Sequence, residues 1–174
     1  MKKYQQVFVD IDIDRLTNSI ENAFSGDVFD TDVFQLFDKD VKQILKPDWQ
    51  FNWQGQVKLK DRETYKLVIR DNIKIIQGLV CLSDQGDHIY MHLIESAKFN
   101  KGKRKIYIGV PGNLVAFACK LSFEKGYEEY LAFDAKTLLI KHYQETLYAT
   151  HFRGTKMMIE TPAATRLINQ YFKK

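Results

Sequence analysis

The stretch His88-Ile89-Tyr90-Met91-His92-Leu93-Ile94-Glu95-Ser96-Ala97, followed after a basic loop by Gly109-Val110-Pro111-Gly112-Asn113-Leu114, decides the fold. The first part is rich in β-branched and aromatic residues and reads as a strand. The second leads into a helix over residues 113–125, where Leu114, Ala116, Phe117, Ala118, Leu121 and Phe123 lie nearly all round, so the helix is buried against a sheet. Gly126 is its stop. Upstream, residues 64–70 and 73–82 read as two more strands, set off by Asp71-Asn72 and by the turn SDQGD at 83–87. Three strands in sequence with short turns make an antiparallel meander. Downstream come an apolar strand at 130–133, a helix capped within 134–137 and running to about Leu147, and a strand over roughly 149–160. A final helix opens with Thr161 as cap and Pro162 at its first position.

Outward from this core, the first 47 residues read differently. Residues 4–11 predict an opening strand. A helix is expected from about Asp14, with Leu16, Ile20, Ala23 and Phe24 at helical spacing and Gly26 as its end. A second is expected from about Thr31, with Val33, Phe34, Phe37, Val41, Ile44 and Leu45 on one face and Pro47 closing it. Trp49, Phe51 and Trp53 alternate as in a strand with one aromatic face, packing on these helices or lining a substrate pocket. No internal repeat or linker interrupts the chain. The expectation is one domain over 1–174, with a variable part at 1–64, a core at 65–160 and a C-terminal helix at 161–174. Its class is α/β (α+β by layer count): a mixed, mainly antiparallel sheet with helices on both faces.

Composition bounds the function classes. The 174 residues are 45% hydrophobic and 28% charged, with three prolines and nine glycines, which argues against a disordered or fibrous chain. No run approaches a membrane span, and Asp10 and Asp12 precede any apolar stretch long enough for a signal peptide, so a cytoplasmic protein is expected. Cys81 and Cys119 read as small core hydrophobes, and His88 and His151 have no partners at ligand spacing, so no metal site is expected. The net charge of +4 suits an anionic ligand or nucleic acid without requiring either.

Three antiparallel strands, then loop–helix, strand, helix, strand, is an order that resembles the GNAT superfamily of acetyl-CoA-dependent N-acetyltransferases over about residues 65–159. Gly78, in Ile75-Ile76-Gln77-Gly78-Leu79-Val80, looks like the family's strand glycine. Tyr130-Leu131-Ala132-Phe133, Ala135-Lys136-Thr137 and His142-Tyr143 are similar to its closing segment. The resemblance implies transfer of acetyl from acetyl-CoA to a primary amine by direct attack. It places the pyrophosphate at the helix N-terminus, beside Gly109, Gly112, Asn113 and Leu114. It places the pantetheine arm along the strand ending in Ser96 and Ala97, in a gap where the sheet splays. The pattern also departs from the family. Only one glycine of the phosphate loop is in register, and the connection from Ala97 to Gly112 is long. Tyr143 is followed by three residues and then Leu147-Tyr148, one residue off the usual spacing. Lys98, Lys101, Lys103, Arg104 and Lys105 then take over charge neutralisation.

Glu95 is the expected base, since strand parity with Met91 and Leu93 sets it on an apolar face where desolvation raises a carboxyl pKa. The alternative is a strand-end carboxylate paired with a loop lysine. Tyr143 is the expected acid for the departing thiolate, the alternative being an aromatic that packs the helix onto the sheet. His92 falls on the opposite strand face, and His142 reads as a surface residue. The basic loop, flanked by Phe99 and Tyr107, serves cofactor phosphates or RNA, or is a solvated charge run with no ligand. Three functions follow: an N-acetyltransferase for a primary amine, a non-catalytic acyl-CoA-binding or interaction protein of the same fold, or an acetyltransferase for an RNA-borne amine such as charged tRNA. A C-terminal edge strand offers a homodimer contact.

Overall fold

The computed structural model describes residues 7–17, 19–127 and 130–172. Its main sheet has seven strands: β3 (Thr31–Leu36), β4 (Glu63–Ile69), β5 (Gly78–Asp84), β6 (Ile89–Ser96), β8 (Leu131–Asp134), β9 (Thr150–Arg153) and β10 (Lys156–Ile159). Their spatial order is β3-β4-β5-β6-β8-β10-β9, and only the β6–β8 pair is parallel. A small sheet joins β1 (Ile20–Asn22), β2 (Val28–Phe29) and β7 (Tyr107–Ile108) in the order β2-β1-β7. The helices are α1 (Trp53–Val57), α2 (Val110–Glu124), α3 (Ile140–Leu147) and α4 (Thr161–Phe172).

The meander β4-β5-β6 and the helix after it form in the order the sequence predicts, because both faces of this part of the sheet are covered, but β5 begins at Gly78 rather than at residue 73 and α2 at Val110 rather than at Asn113. β5 is buried from Gly78 to Ser83, as its continuous apolar run requires. On one side α2 packs through residues such as Val110, Leu114 and Val115. On the other, Leu79, Cys81 and Leu93 pack with Leu36, Ile44, Trp53 and Val57 in a second cluster. The last strand expected from sequence is a hairpin, β9–β10, turning at Gly154 with φ of 58°. β9 forms the sheet edge, and all four of its residues are exposed.

The N-terminal helices do not form. Thr31–Leu36 instead pairs as an edge strand along the whole of β4, from Thr31↔Ile69 to Leu36↔Thr64. Threonine, valine and phenylalanine suit a pleated, half-buried surface, and ladder pairing prevails over the local 3.6 spacing. Two 3-10 segments, Asp38–Gln43 and Lys46–Asp48, are what remains of helical structure over that span. The helix expected from Asp14 is an extended strip leading into the β1–β2 hairpin. Of the opening strand expected at 4–11, residues 4–6 lie outside the described residues, and Val9 makes one parallel bridge to Ala135. Trp49, Phe51 and Trp53 lie in a loop entering α1 rather than in a strand.

One irregularity positions the site. Leu82 pairs with Met91 but Cys81 with Leu93, so His92 is an extra residue bulging from β6. Pairing between β6 and β8 stops at Met91, and from there the two strands part. The bulge also breaks strand parity, so Glu95 shares a face with Leu93 and the second cluster rather than with Met91.

Candidate functional site

The parting of β6 and β8 leaves a cleft beside the N-terminus of α2. Gly109 caps that helix with φ of 94°, a left-handed value suited to glycine, and Pro111 follows inside the first turn. Gly78 lets the helix approach: a Cβ there would lie 2.8 Å from Val110 Cγ1 and 2.9 Å from Leu114 Cδ1.

Residues 9–17 run through this cleft. Val9 N–H donates to Asp134 O (2.7 Å) and Lys136 N–H donates to Val9 O (3.0 Å), which ties the strip to the end of β8 on the side facing β6. Tyr143 is fully buried, its hydroxyl accepting from Ile11 N–H (2.9 Å) and donating to Ile11 O (2.6 Å). Ile13 N–H donates to His142 Nε2 (2.9 Å), and Thr17 N–H to the Tyr171 hydroxyl (3.2 Å). Asp14 accepts from Gly109 N–H (3.2 Å) and from Lys105 Nζ (3.1 Å). Its carboxylate therefore lies against the first turn of α2, where a partial positive charge gathers. Burial raises the Asp14 pKa above the ordinary carboxylate value, with Lys105 and the Gly109 amide pulling the other way.

The strip alternates. Val9, Ile11 and Ile13 are buried in the main core while Asp10 and Asp12 face solvent, near Lys136 (3.2 Å) and His142 (3.3 Å). Leu16 and Thr17 then cover the loop glycines. A Cβ on Gly109 would fall on Thr17 Oγ1 and 2.7 Å from Ser19 O, and one on Gly112 would fall on the Tyr171 hydroxyl and 2.9 Å from Leu16 Cδ2.

Glu95 lies at the far end of β6 with its side chain 3% exposed. It accepts from Gln50 N–H (2.8 Å), Phe51 N–H (3.2 Å), Trp53 Nε1–H (2.8 Å) and Lys101 Nζ (2.9 Å). The carboxylate knots the aromatic loop and the basic loop onto the sheet. Next to this knot, Trp49, Leu45, Ile75, Ala97, Lys98 and Phe99 line a cavity of about 560 Å3.

The residues singled out by sequence thus fall into groups. Gly109, Gly112 and Tyr143 face the strip. Ser96 and Ala97 are buried at the parted end of β6. Asn113 and Leu114 are fully buried in the first turn of α2, where Asn113 Nδ2 donates to Thr31 Oγ1 at 3.1 Å. Ser96 Oγ and Asn113 Oδ1 have no hydrogen-bond partner among the described residues. In the basic loop Lys101 and Lys105 are paired internally, while Lys98, Lys103 and Arg104 are exposed. His142 is half-buried in the site and not a plain surface residue. The sequence reading did not place Asp14, Leu16, Thr17 or Tyr171 in the site; the alternation Val9-Asp10-Ile11-Asp12-Ile13-Asp14 was the available signal. Burial pushes the His92 pKa down to about 4, and its Nε2 lies 2.6 Å from Ser83 Oγ. Among the described residues no cluster of three or more His, Cys, Asp or Glu side chains is placed to hold a metal, and no helix is long and apolar enough to cross a membrane.

No family model and no curated protein matches the chain. Solved structures do. A ribosomal-protein-alanine N-acetyltransferase from Brucella melitensis biovar Abortus 2308 is 15% identical with a TM-score of 0.53, covering 71% of this chain and 96% of its own. Mutant forms of the spermidine/spermine N-acetyltransferase SpeG from Vibrio cholerae give 14% identity and a TM-score of 0.51, covering 80% and 97%. An acetyltransferase from Bacillus anthracis str. Ames, solved in complex with acetyl coenzyme A, gives 11% and 0.50, covering 76% and 96%. The fold is therefore that of the GNAT acetyltransferases.

Proposed function

We propose that this chain is an N-acetyltransferase that moves acetyl from acetyl-CoA to a primary amine, and that the state described here is its closed form. The observation that carries the reading is the parallel β6–β8 pair parting after Met91 beside the N-terminus of α2. The cavity beside Trp49 and Ala97 is the proposed acceptor side.

In the closed form these residues do not fit acetyl-CoA. Both loop glycines are already approached by the chain itself, and the Asp14 carboxylate sets negative charge against the helix end. Without ligand, closure is the resting state, because Val9, Ile11 and Ile13 are at most 9% exposed and their burial is favourable. Tyr143 is the residue that closure silences, because both its close hydrogen bonds run to Ile11. With the strip withdrawn its hydroxyl becomes a free proton donor. The four donors of Glu95 belong to the 50–53 loop and Lys101, so withdrawal leaves it engaged. Its proposed part is to hold that loop and Lys101 beside the cavity.

A thermal-shift titration with acetyl-CoA, CoA and a nucleotide control tests the reading, joined to an assay for CoA released in the presence of primary amines. A melting rise with acetyl-CoA but not the nucleotide, with amine-dependent CoA release, is expected at millimolar ligand. No shift at that concentration would sink it. The saturation of both Tyr143 and Glu95 by the chain's own groups favours one second reading, a non-catalytic interaction protein of the same fold, and the same titration would then stay flat.

A further inference from the structure

We infer that residues 9–17 are an intramolecular competitor for the cofactor cleft, taking the open backbone edge, the helix-end anion position and the Tyr143 hydroxyl together. The inference rests on the acetyl-CoA reading above. Three independent features coincide on one nine-residue strip. Its aliphatic side chains at 9, 11 and 13 are buried in the main core, and its backbone pairs with Asp134 and Lys136 at the end of β8, on the side facing β6. Its one inward-lying acid, Asp14, is taken by the Gly109 amide and Lys105. Its Ile11 peptide takes both close hydrogen bonds of Tyr143.

The way the strip is held suits release. Among the described residues, apart from the one bridge at Val9, its backbone partners are side-chain groups: the Tyr143 and Tyr171 hydroxyls and the His142 imidazole. Each can turn to another partner without breaking a sheet ladder. The strip is also tethered directly over the helix it covers, because the β1 strand that follows pairs with β7, which leads into Gly109. It can swing out and return without refolding the sheet. Opening the cleft and freeing the Tyr143 hydroxyl are then one event, so a ligand that enters must loosen the strip and a loosened strip must favour the ligand.

The test uses the full chain and an Ile11→Ser/Asp14→Ala double variant, with CoA as the probe in calorimetry and amide hydrogen exchange followed over 9–17 and over β5. The variant should exchange faster at 9–17 with β5 unchanged, showing local release of an intact fold, and should bind CoA at least tenfold tighter. Saturating CoA should speed exchange at Ile11, Ile13 and Thr17 in the unaltered protein. If CoA binds both proteins equally and 9–17 stay protected, the competitor inference falls while the acetyl-CoA reading stands. If neither binds CoA although exchange shows the strip released, both fall. Should the double variant lose β5 protection, Tyr143→Phe replaces it, and the same two outcomes decide.

Discussion

Two stretches of the N-terminal third are laid against the β6–α2 unit, and each is met by a carboxylate paired with a lysine of one basic loop. For residues 9–17 the pair is Asp14 with Lys105 at 3.1 Å; for residues 49–57 it is Glu95 with Lys101 at 2.9 Å. In the first case the strip carries the acid; in the second the sheet carries it and the loop brings the donors. Withdrawing 9–17 takes the negative charge away and leaves a lysine and a helix N-terminus, groups that suit an incoming anion. Withdrawing 49–57 would strip three of its four donors from a buried carboxylate and leave it Lys101 alone, which costs several kcal/mol. The difference assigns the roles: one stretch can open, the other is a fixture.

The largest effect should come from attacking the fixture. Glu95→Ala leaves Trp53 Nε1, two backbone amides and Lys101 without their acceptor in a site that is 3% exposed. A loss of about 3–5 kcal/mol is expected in urea unfolding. A loss below about 1 kcal/mol would mean that the 49–57 stretch is no better anchored than the strip, and the contrast would fail. Next comes the bulge that parts the strands. His92 has its pKa pushed down to about 4 by burial, with Arg62 adding to the effect. A depressed pKa means stability present above the unfolded value of about 6.5 and lost as pH falls towards 4, on the order of 2–3 kcal/mol. His92→Gln should flatten that part of the stability–pH curve relative to the unaltered protein; an unchanged slope would place the titration elsewhere.

How much of this was legible follows the same division. From β4 to α4 the chain is covered on both faces or built from short connected elements, so period and punctuation give the order of elements, as at Gly126 and Thr161-Pro162, although Gly78 opens β5 where the sequence reading set it inside a strand. In the N-terminal part they conflict. Val33, Phe34, Phe37, Val41 and Ile44 satisfy a helical template, yet the free edge of β4 offered a ladder along its whole length and Thr31–Leu36 took it. Asp14 to Phe24 also scan as helix, but Ile13 and Ile20 join the main core and Leu16 lies against Gly112 of α2, contacts of long sequence separation that no local window contains. Glu95 was found by position, while its function as a four-donor knot depended on residues 50–53 returning to β6, a pairing invisible in sequence.

Smaller effects concern the strip alone. Tyr143→Phe deletes the hydroxyl that meets Ile11 twice and leaves the ring packed edge-on to Phe133, with centroids 5.6 Å apart. A loss of about 1–2 kcal/mol is expected, with exchange quickened at 9–13 rather than throughout. Global loosening instead would make the strip part of the cooperative core and remove its freedom to swing out.

The finest discrimination is at Asp14. Burial raises its pKa, and the Lys105 pair and Gly109 amide lower it by less. A folded pKa above the unfolded value means that this group's stabilising contribution is complete below about 3.9 and is lost as pH rises through the folded value. At pH 7 the ionised carboxylate is therefore worse off in the folded strip than in the unfolded chain, despite its lysine. Asp14→Asn should be neutral or stabilising by less than about 1 kcal/mol at pH 7, and its advantage should shrink in urea titrations as pH falls towards 3. The opposite slope, with the unaltered protein losing ground as pH falls, would mean that the Lys105 pair outweighs burial. Asp14 would then be a clamp that holds the strip in place, and the easy withdrawal that distinguishes 9–17 from 49–57 would be lost.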